Sequence, residues 1–415
     1  MSTKQNAVSL QIPLKPDKVA EVTELLNTGG NPALKQTFFS FKKMPTVHFA
    51  RWIVVPAGKG IDPSLVYAGN IDGDKQQHLK DLVDHLGDDL DQIFKYCQGY
   101  PDGGDTDTGN RLAFLKKHAI PTQGFYVGAP NRTVQQIHQE GELYDALRTF
   151  VKDNGSQWKN SKEAYTAIKG FVGSDPKWDW ARKPYHTPKV NILATAFLAL
   201  LLLVLLPVLI IFIILIHFFY ELRAKPFGKT QSQIPLEHLA ALKDQEDIIY
   251  QNQLSQVFEL KGGLRKLGLK FFLWATSWGA RNTFVMGQLM GTPTIHFARW
   301  VIIDGGKRFV FFSNFDGSFD EYLGDFVDNN GWGLNAIYGA AKGYPRTFFM
   351  FGRGSYRIAE FMGWGRLTQV PTPIWYSAYP WDGLQQIVDR SKLRMELFNS
   401  GELNDAQIKQ MLRRI

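Results

Sequence analysis

One phrase of this chain occurs twice, nearly unchanged. Pro45-Thr46-Val47-His48-Phe49-Ala50-Arg51-Trp52 returns as Pro293-Thr294-Ile295-His296-Phe297-Ala298-Arg299-Trp300. A repeat of this kind marks one structural unit used twice, so the fold of the first half constrains the fold of the second. Further matches follow it. Asn70-Ile71-Asp72-Gly73 pairs with Asn314-Phe315-Asp316-Gly317, and Gly99-Tyr100-Pro101 with Gly343-Tyr344-Pro345, at one constant separation. The helix between those motifs therefore has the same length in both halves. Later, Tyr126, Pro130 and Gln135-Gln136-Ile137 return as Tyr376, Pro380 and Gln385-Gln386-Ile387. The changes of spacing fall at turns such as Pro56-Ala57-Gly58-Lys59-Gly60, where insertions are tolerated.

Periodicity supplies the elements. Residues 8–14 alternate as a strand, and residues 17–26 place Val19, Val22, Leu25 and Leu26 on one helical face. Strands are expected over 48–55 and 65–71, joined by a Gly/Pro loop. Over 77–96 the stripe Leu79, Leu82, Val83, Leu86, Leu90, Ile93 and Phe94 predicts a helix, and 124–128 a last strand before a helix to about Val151. The order β-α-β-β-α-β in each copy is the ferredoxin-like split βαβ pattern, an α+β fold. Such a sheet has one bare face. Two copies can bury those faces against each other as a dimeric α+β barrel within one chain. The expected organisation is module 1 over 1–155, a linker over 156–189, an apolar segment over 190–220, a second linker over 221–245 and module 2 over 246–415.

Residues 190–219 carry no charge. As one helix they would be about 45 Å long, against ~30 Å of hydrocarbon in a bilayer, so membrane insertion is expected. Two modes stay open. A single tilted span, kinked at Pro207, would put the modules on opposite sides. A re-entrant hairpin turning near Pro207 would leave both modules on the cytosolic side. Lys177, Arg182, Lys183 and Lys189 precede the segment and Arg223, Lys225, Lys229 and Lys243 follow it, which gives no orientation. Residues 1–16 lack the apolar core of a signal peptide, so module 1 is expected in the cytoplasm, with the side of module 2 open. The formal net charge of +8 fits attraction to anionic lipid headgroups. The basic residues form no long run, so the lipid bilayer is the expected partner and nucleic acid is not. The single cysteine, Cys97, excludes an internal disulfide and a Cys-rich zinc site, and reads as a packing residue.

The second copy is more aromatic. Residues 261–291 mix Lys261, Arg265, Lys266, Lys270 and Arg281 with Phe271, Phe272, Trp274 and Trp278. This reads either as a helix in the headgroup plane or as a core helix with a solvated basic face. Phe348-Phe349-Met350-Phe351, with Phe361, Met362 and Trp364, is open between core, lipid contact and the wall of an apolar pocket.

Four polar positions recur: His48/His296, Arg51/Arg299, Asn70/Asn314 and Asp72/Asp316. On a regular strand His48, Ala50 and Trp52 share one face, and Phe49 and Arg51 the other. An Arg–Asp ion pair or a His oriented by a carboxylate could form across the hairpin. Asp72, Arg51, Asp316 and Arg299 are the catalytic candidates, and His48, Asn70, His296 and Asn314 the ligand-binding candidates. The structural alternative is fold maintenance, with Asp72 as a turn residue or helix cap.

Gly69-Asn70-Ile71-Asp72-Gly73 resembles the G-x-x-D-G pattern of dye-decolourising peroxidases, members of the dimeric α+β barrel superfamily. Those are haem enzymes built from two ferredoxin-like modules. The resemblance implies haem as cofactor, with Asp72 and an Arg, for which Arg51 is the candidate, assisting proton transfer on the distal side. It also implies an axial histidine, for which His296 is the candidate. In the second copy Ser313 stands where the pattern has its first Gly. P-loop, G-x-S-x-G and H-E-x-x-H motifs are absent from the sequence. The expectation is a membrane-anchored protein binding an apolar small molecule or lipid-derived ligand. A haem-dependent peroxidase-like oxidoreductase and a non-catalytic scaffold are the alternatives.

Overall fold

The apolar runs read above become strands and helices close to where periodicity places them. The structure is a computed structural model and describes residues 4–29, 38–101, 106–183, 189–225, 227–283, 289, 291–398, 401 and 403–415. The first half runs β1 (Gln5–Pro13), α1 (Val19–Gly29), β2 (Val47–Val55), β3 (Ser64–Asp72), α2 (Lys75–Phe94), α3 (Thr108–Lys117), β4 (Gly124–Val127) and α4 (Val134–Asn154). Between the halves lie α5 (Ser161–Ser174), α6 (Ile192–Ile216) and α7 (Leu236–Lys243). The second half begins β5 (Gln251–Glu259), α8 (Gly263–Asn282), β6 (Ile295–Ile303), β7 (Arg308–Asp316) and α9 (Phe319–Tyr338). It continues through the short pair β8 (Thr347–Phe348) and β9 (Gly352–Arg353), then α10 (Ile358–Thr368), β10 (Ile374–Ser377), α11 (Leu384–Phe398) and α12 (Asp405–Leu412). The class is α+β with antiparallel sheets, as expected.

Local chemistry places the helix starts. Gly73 and Gly317, after the matched Asp, take positive φ of 84° and 81°, which a side chain would disfavour. Asp74 then caps α2 by accepting from the amides of Gln76 and Gln77. Ser318 and Glu321 form a capping box on α9. Both helices break at matched positions, Leu86 (φ −129°) and Asn330 (φ −147°).

The sheet orders are β1-β3-β2-β10 and β4-β6-β7-β5. Each half therefore donates its last strand to the other half's sheet. Trp375 of β10 lies opposite Arg51 of β2, and Phe125 of β4 opposite Arg299 of β6. This corrects the expectation of two self-contained modules over 1–155 and 246–415. A four-residue strand carries no mark of which edge it will pair with, and the exchange covers the open edges of both β2 and β6. Helices pack on the outer face of each sheet over separate cores. The inner faces meet through Ile53, Val55, Val66 and Ala68 from one sheet against Val301, Ile303, Val310 and Phe312 from the other.

The stretch 156–189, expected as a linker, is structured over its described residues. Tyr165, Ile168 and Val172 of α5 and Trp178 pack with Leu143 and Leu147 of α4, Leu393 of α11 and Met411 of α12. The stretch 221–245 likewise contains α7.

The segment Ile192–Glu221 is one helix of 30 residues, long and apolar enough to cross a membrane by length and composition. It continues through Pro207 and ends in a π-helical turn, His217–Glu221. The turn near Pro207 that the re-entrant alternative requires does not form. Instead α6 runs antiparallel along α8. At one end the Asn191 amide donates to the Asn282 carbonyl at 2.8 Å, and Thr195 meets Thr283 at 3.0 Å. At the other the Leu264 amide donates to the Tyr220 hydroxyl at 3.1 Å. Glu221 is buried there and accepts from the Thr347 hydroxyl at 2.5 Å and the Met350 amide at 2.8 Å.

Candidate functional site

The recurring polar residues gather at the seam between the sheets. Val47 pairs with Ile71 but Phe49 pairs with Asn70, so His48 is the extra residue of a β-bulge; His296 is the extra residue of the matching bulge in β6. A bulge re-aims the side chains beside it. Ala50 and Trp52 point into the helix-side core as alternation requires, yet His48 lies against Phe297 and Tyr379 at the seam. The expected shared face of His48, Ala50 and Trp52 fails for that reason.

Of the two pairings foreseen, the His–carboxylate one forms. His48 Nε2 is 3.0 Å from Asp72 Oδ1, and His48 Nδ1 is 2.8 Å from the Tyr379 hydroxyl. Asp72 Oδ2 accepts from the first amide of α4, that of Val134, at 2.9 Å. The second half repeats this: His296 Nε2 lies 2.7 Å from Asp316 Oδ1, and Asp316 Oδ2 accepts from the Leu384 amide at 2.7 Å. Each Asp thus ties its bulge to the start of the helix that follows the exchanged strand, where a negative charge is favoured.

The arginines reach across the seam. Arg51 donates to the carbonyls of Leu254 and Ser313, both at 2.8 Å, to the Ser255 hydroxyl at 3.0 Å and to Asn314 Oδ1. Arg299 donates to the Val8 carbonyl at 2.6 Å, the Ser9 hydroxyl at 3.2 Å and Asn70 Oδ1. Burial, then the charge of Arg299, pulls Arg51 well below the usual guanidinium range. Burial brings Arg299 down to about 9. The Arg–Asp pair considered from the sequence does not form, because each Asp is taken by its histidine and helix amide.

The seam has no room for a haem. The gap among Arg51, Asn70, Arg299 and Asn314 leaves no space wide enough for a water molecule. Small-molecule sites run to ~300–1,000 Å³. His296, the axial candidate, has Nε2 held by Asp316. These residues do not fit a haem. Among the described residues, no group of three or more His, Cys, Asp or Glu side chains is placed to hold a metal ion. Cys97 is buried at a helix end, and burial pushes its thiol up to about 12, which suits packing rather than nucleophilic attack.

Asp72 does touch an open polar cleft of about 1160 Å³, shared with Lys42, Thr46, His138, Glu142 and Trp381. Both its carboxylate oxygens are already engaged, by His48 and by the Val134 amide.

A different space has the character of a ligand site. Beneath α6, between α8 and α9, lies a cavity of about 340 Å³ with a nearly all-apolar wall. Leu198 and Leu202 come from α6, Phe271, Phe272 and Ala275 from α8, and Trp332, Leu334 and Ile337 from α9, over a floor at Trp300. Asn330 also lines it. Its Oδ1 is buried without a hydrogen-bond partner, and the residue is 5% exposed.

Of the residues left open between core, lipid contact and pocket wall, Phe361 and Trp364 belong to the helix-side core, with Met362 packed against it. The signal that could have located it was present. At the constant spacing that matches Gly99 to Gly343, α2 carries Leu86, Asp88 and Asp89 where α9 carries Asn330, Trp332 and Gly333. An exposed acid, Asp88, and a half-buried one, Asp89, in one copy stand where the other has an aromatic and a small residue.

Comparison with protein-family models, with curated proteins and with solved structures gave no match.

Proposed function

We propose that the protein binds an apolar, lipid-derived ligand at a membrane surface, in the cavity bounded by α6, α8 and α9. Its frame is a tandem pair of ferredoxin-like modules with exchanged last strands, facing each other as a dimeric α+β barrel. The observation that carries this reading is the cavity and its roof. The inner side of α6 lines the cavity at Leu198 and Leu202, while Leu200, Leu203 and Val204 on the same helix are exposed. An apolar molecule leaving a bilayer along such a helix would meet apolar surface throughout, which the hydrophobic effect favours.

The shared sheets also bear on how the protein meets the membrane. A single span between the halves would separate strands that hydrogen-bond to each other: β4 to β6 and β10 to β2. We therefore place both halves on one side, with α6 embedded lengthwise in the near leaflet. Lys189, Arg223, Lys225 and Lys229 are exposed beside its two ends, where anionic headgroups would meet them. Trp274 of α8, 40% exposed, suits the interfacial depth that tryptophan prefers.

In the test, dodecane is added to the detergent-purified protein and binding is followed by native mass spectrometry. One bound molecule is expected for the wild type. Ala275→Trp, which fills the cavity, should abolish it while leaving the circular dichroism unchanged. Equal dodecane binding by this variant, or none by the wild type, would overturn the assignment.

A further inference from the structure

The second half is longer than the first at one place. Helices α3 and α10 match, since the bridges Leu10–Ala119 and Gln256–Gln369 follow them at equivalent positions. Twelve residues, 346–357, separate Pro345 from α10, where six, 102–107, separate Pro101 from α3. The longer stretch contains the β8–β9 hairpin with Phe348-Phe349-Met350-Phe351. Its backbone is strained: Phe349, Met350 and Arg353 take positive φ of 45°, 65° and 54°, where a side chain is disfavoured. Glu221, at the end of α6, holds this shape by accepting from Thr347 and Met350. The extra hairpin is thus fastened to the apolar helix.

Several of its aromatic rings stay in the open. Phe348 is exposed, 5.2 Å from the ring of His217 in the last turn of α6, beside the exposed Phe218 and Phe219. Phe351 lies between Phe272 of α8 and Trp332 of α9, at 5.9 and 6.3 Å, and Trp332 is exposed. Tyr356 covers Gly331, where a Cβ would fall 2.5 Å from its ring; Tyr356 and Ile358 are exposed as well. The exposed apolar surface of α6 therefore continues onto the hairpin and its neighbours. Extended exposed apolar surface marks a contact with a membrane or a protein.

We propose that the β8–β9 hairpin, with Trp332, Tyr356 and Ile358, enters the headgroup region of the bilayer as a second anchor beside α6; this rests on the lengthwise placement of α6 proposed above. Continuity with α6 favours lipid over a protein surface, since the helix is long and apolar enough for a membrane. The composition agrees, because tryptophan and tyrosine prefer the interfacial depth. Arg353 is exposed, with its guanidinium 5.3 Å over the Phe348 ring, at the same end of α6 as Arg223 and Lys225. Such cations can reach lipid phosphates while their stems lie on apolar surface. Trp332 also lines the apolar cavity, so the anchor brings one cavity wall to the lipid.

The test uses full-length Phe348→Cys, Tyr356→Cys, Leu200→Cys and Asp88→Cys proteins, each labelled with the fluorophore NBD; Cys97 is buried and stays unlabelled. Asp88 is the exposed counterpart of Trp332 on the opposite outer face of the molecule. The proteins are reconstituted in phosphatidylcholine–phosphatidylglycerol vesicles that contain lipid with a doxyl group high on its acyl chain. Quenching is expected for the first three probes and full emission for the fourth. Emission from Phe348→Cys and Tyr356→Cys as bright as from Asp88→Cys, with Leu200→Cys quenched, would overturn the inference and leave the placement of α6 standing. Full emission from all four would remove both. Disulfide-linked pairs of unlabelled Phe348→Cys protein, with its labelled form unquenched, would instead give this face to a second copy and end the proposal.

Discussion

Arg51 and Arg299 are each buried with no carboxylate within ion-pair distance among the described residues, a placement that is costly unless oxygens surround the guanidinium. The backbone carbonyls, serine hydroxyls and Asn Oδ1 of the opposite half supply those oxygens. A guanidinium fork holds five donors in one fixed plane and so reaches acceptors spread along two strands, where an ammonium offers three donors from a single atom. Arg51→Leu is therefore expected to lower stability by about 3 kcal/mol, because it removes the guanidinium donors of two seam carbonyls and of Asn314 Oδ1, which keeps only the Trp375 indole N–H at 3.0 Å. Denaturant titration of the detergent-purified protein measures this. Arg51→Lys should recover part of the loss, and a loss under about 1 kcal/mol for Arg51→Leu would show that the network is not what joins the halves. The sequence did mark these residues, since all four polar positions recur. It could not give their partners, because Arg51 bonds to residues more than two hundred positions away.

At the scale of elements, β4 and β10 decide how the molecule is assembled. Each is four residues long, and each closes the open edge of a sheet whose other strands come from the other half. An uncovered strand edge invites aggregation. Fragments 1–183 and 189–415 are expected to be insoluble when expressed singly and to co-purify when expressed together. Size-exclusion chromatography in detergent reads the outcome, and either fragment running alone as a folded monomer would contradict the exchange. The strands themselves were legible from alternation, and 8–14, 48–55, 65–71 and 124–128 all fall within or beside observed strands. The bulges at His48 and His296 were not, since one extra residue leaves the alternation of its neighbours intact.

At the scale of the whole molecule, one long apolar helix is held at both ends against a body whose halves cannot be parted. In sealed vesicles, protease added outside should therefore either cut both halves or spare both, according to which face is outward. Immunoblots with tags at the two termini read this directly. Cleavage of one half with full protection of the other would reinstate a single span and exclude the lengthwise placement of α6. The sequence by itself determined that a unit is repeated, where most strands and helices lie, and that residues 190–219 form an uncharged apolar segment. Those are local properties, because periodicity and composition report the environment of a residue's own face. The tertiary structure decided which sheet receives each last strand, that α6 folds back along α8, and that α9 leaves a cavity where α2 packs a core. Two equivalent edges offer a short strand the same backbone partners. The choice between them follows from how much surface the complete assembly buries, which no single segment encodes.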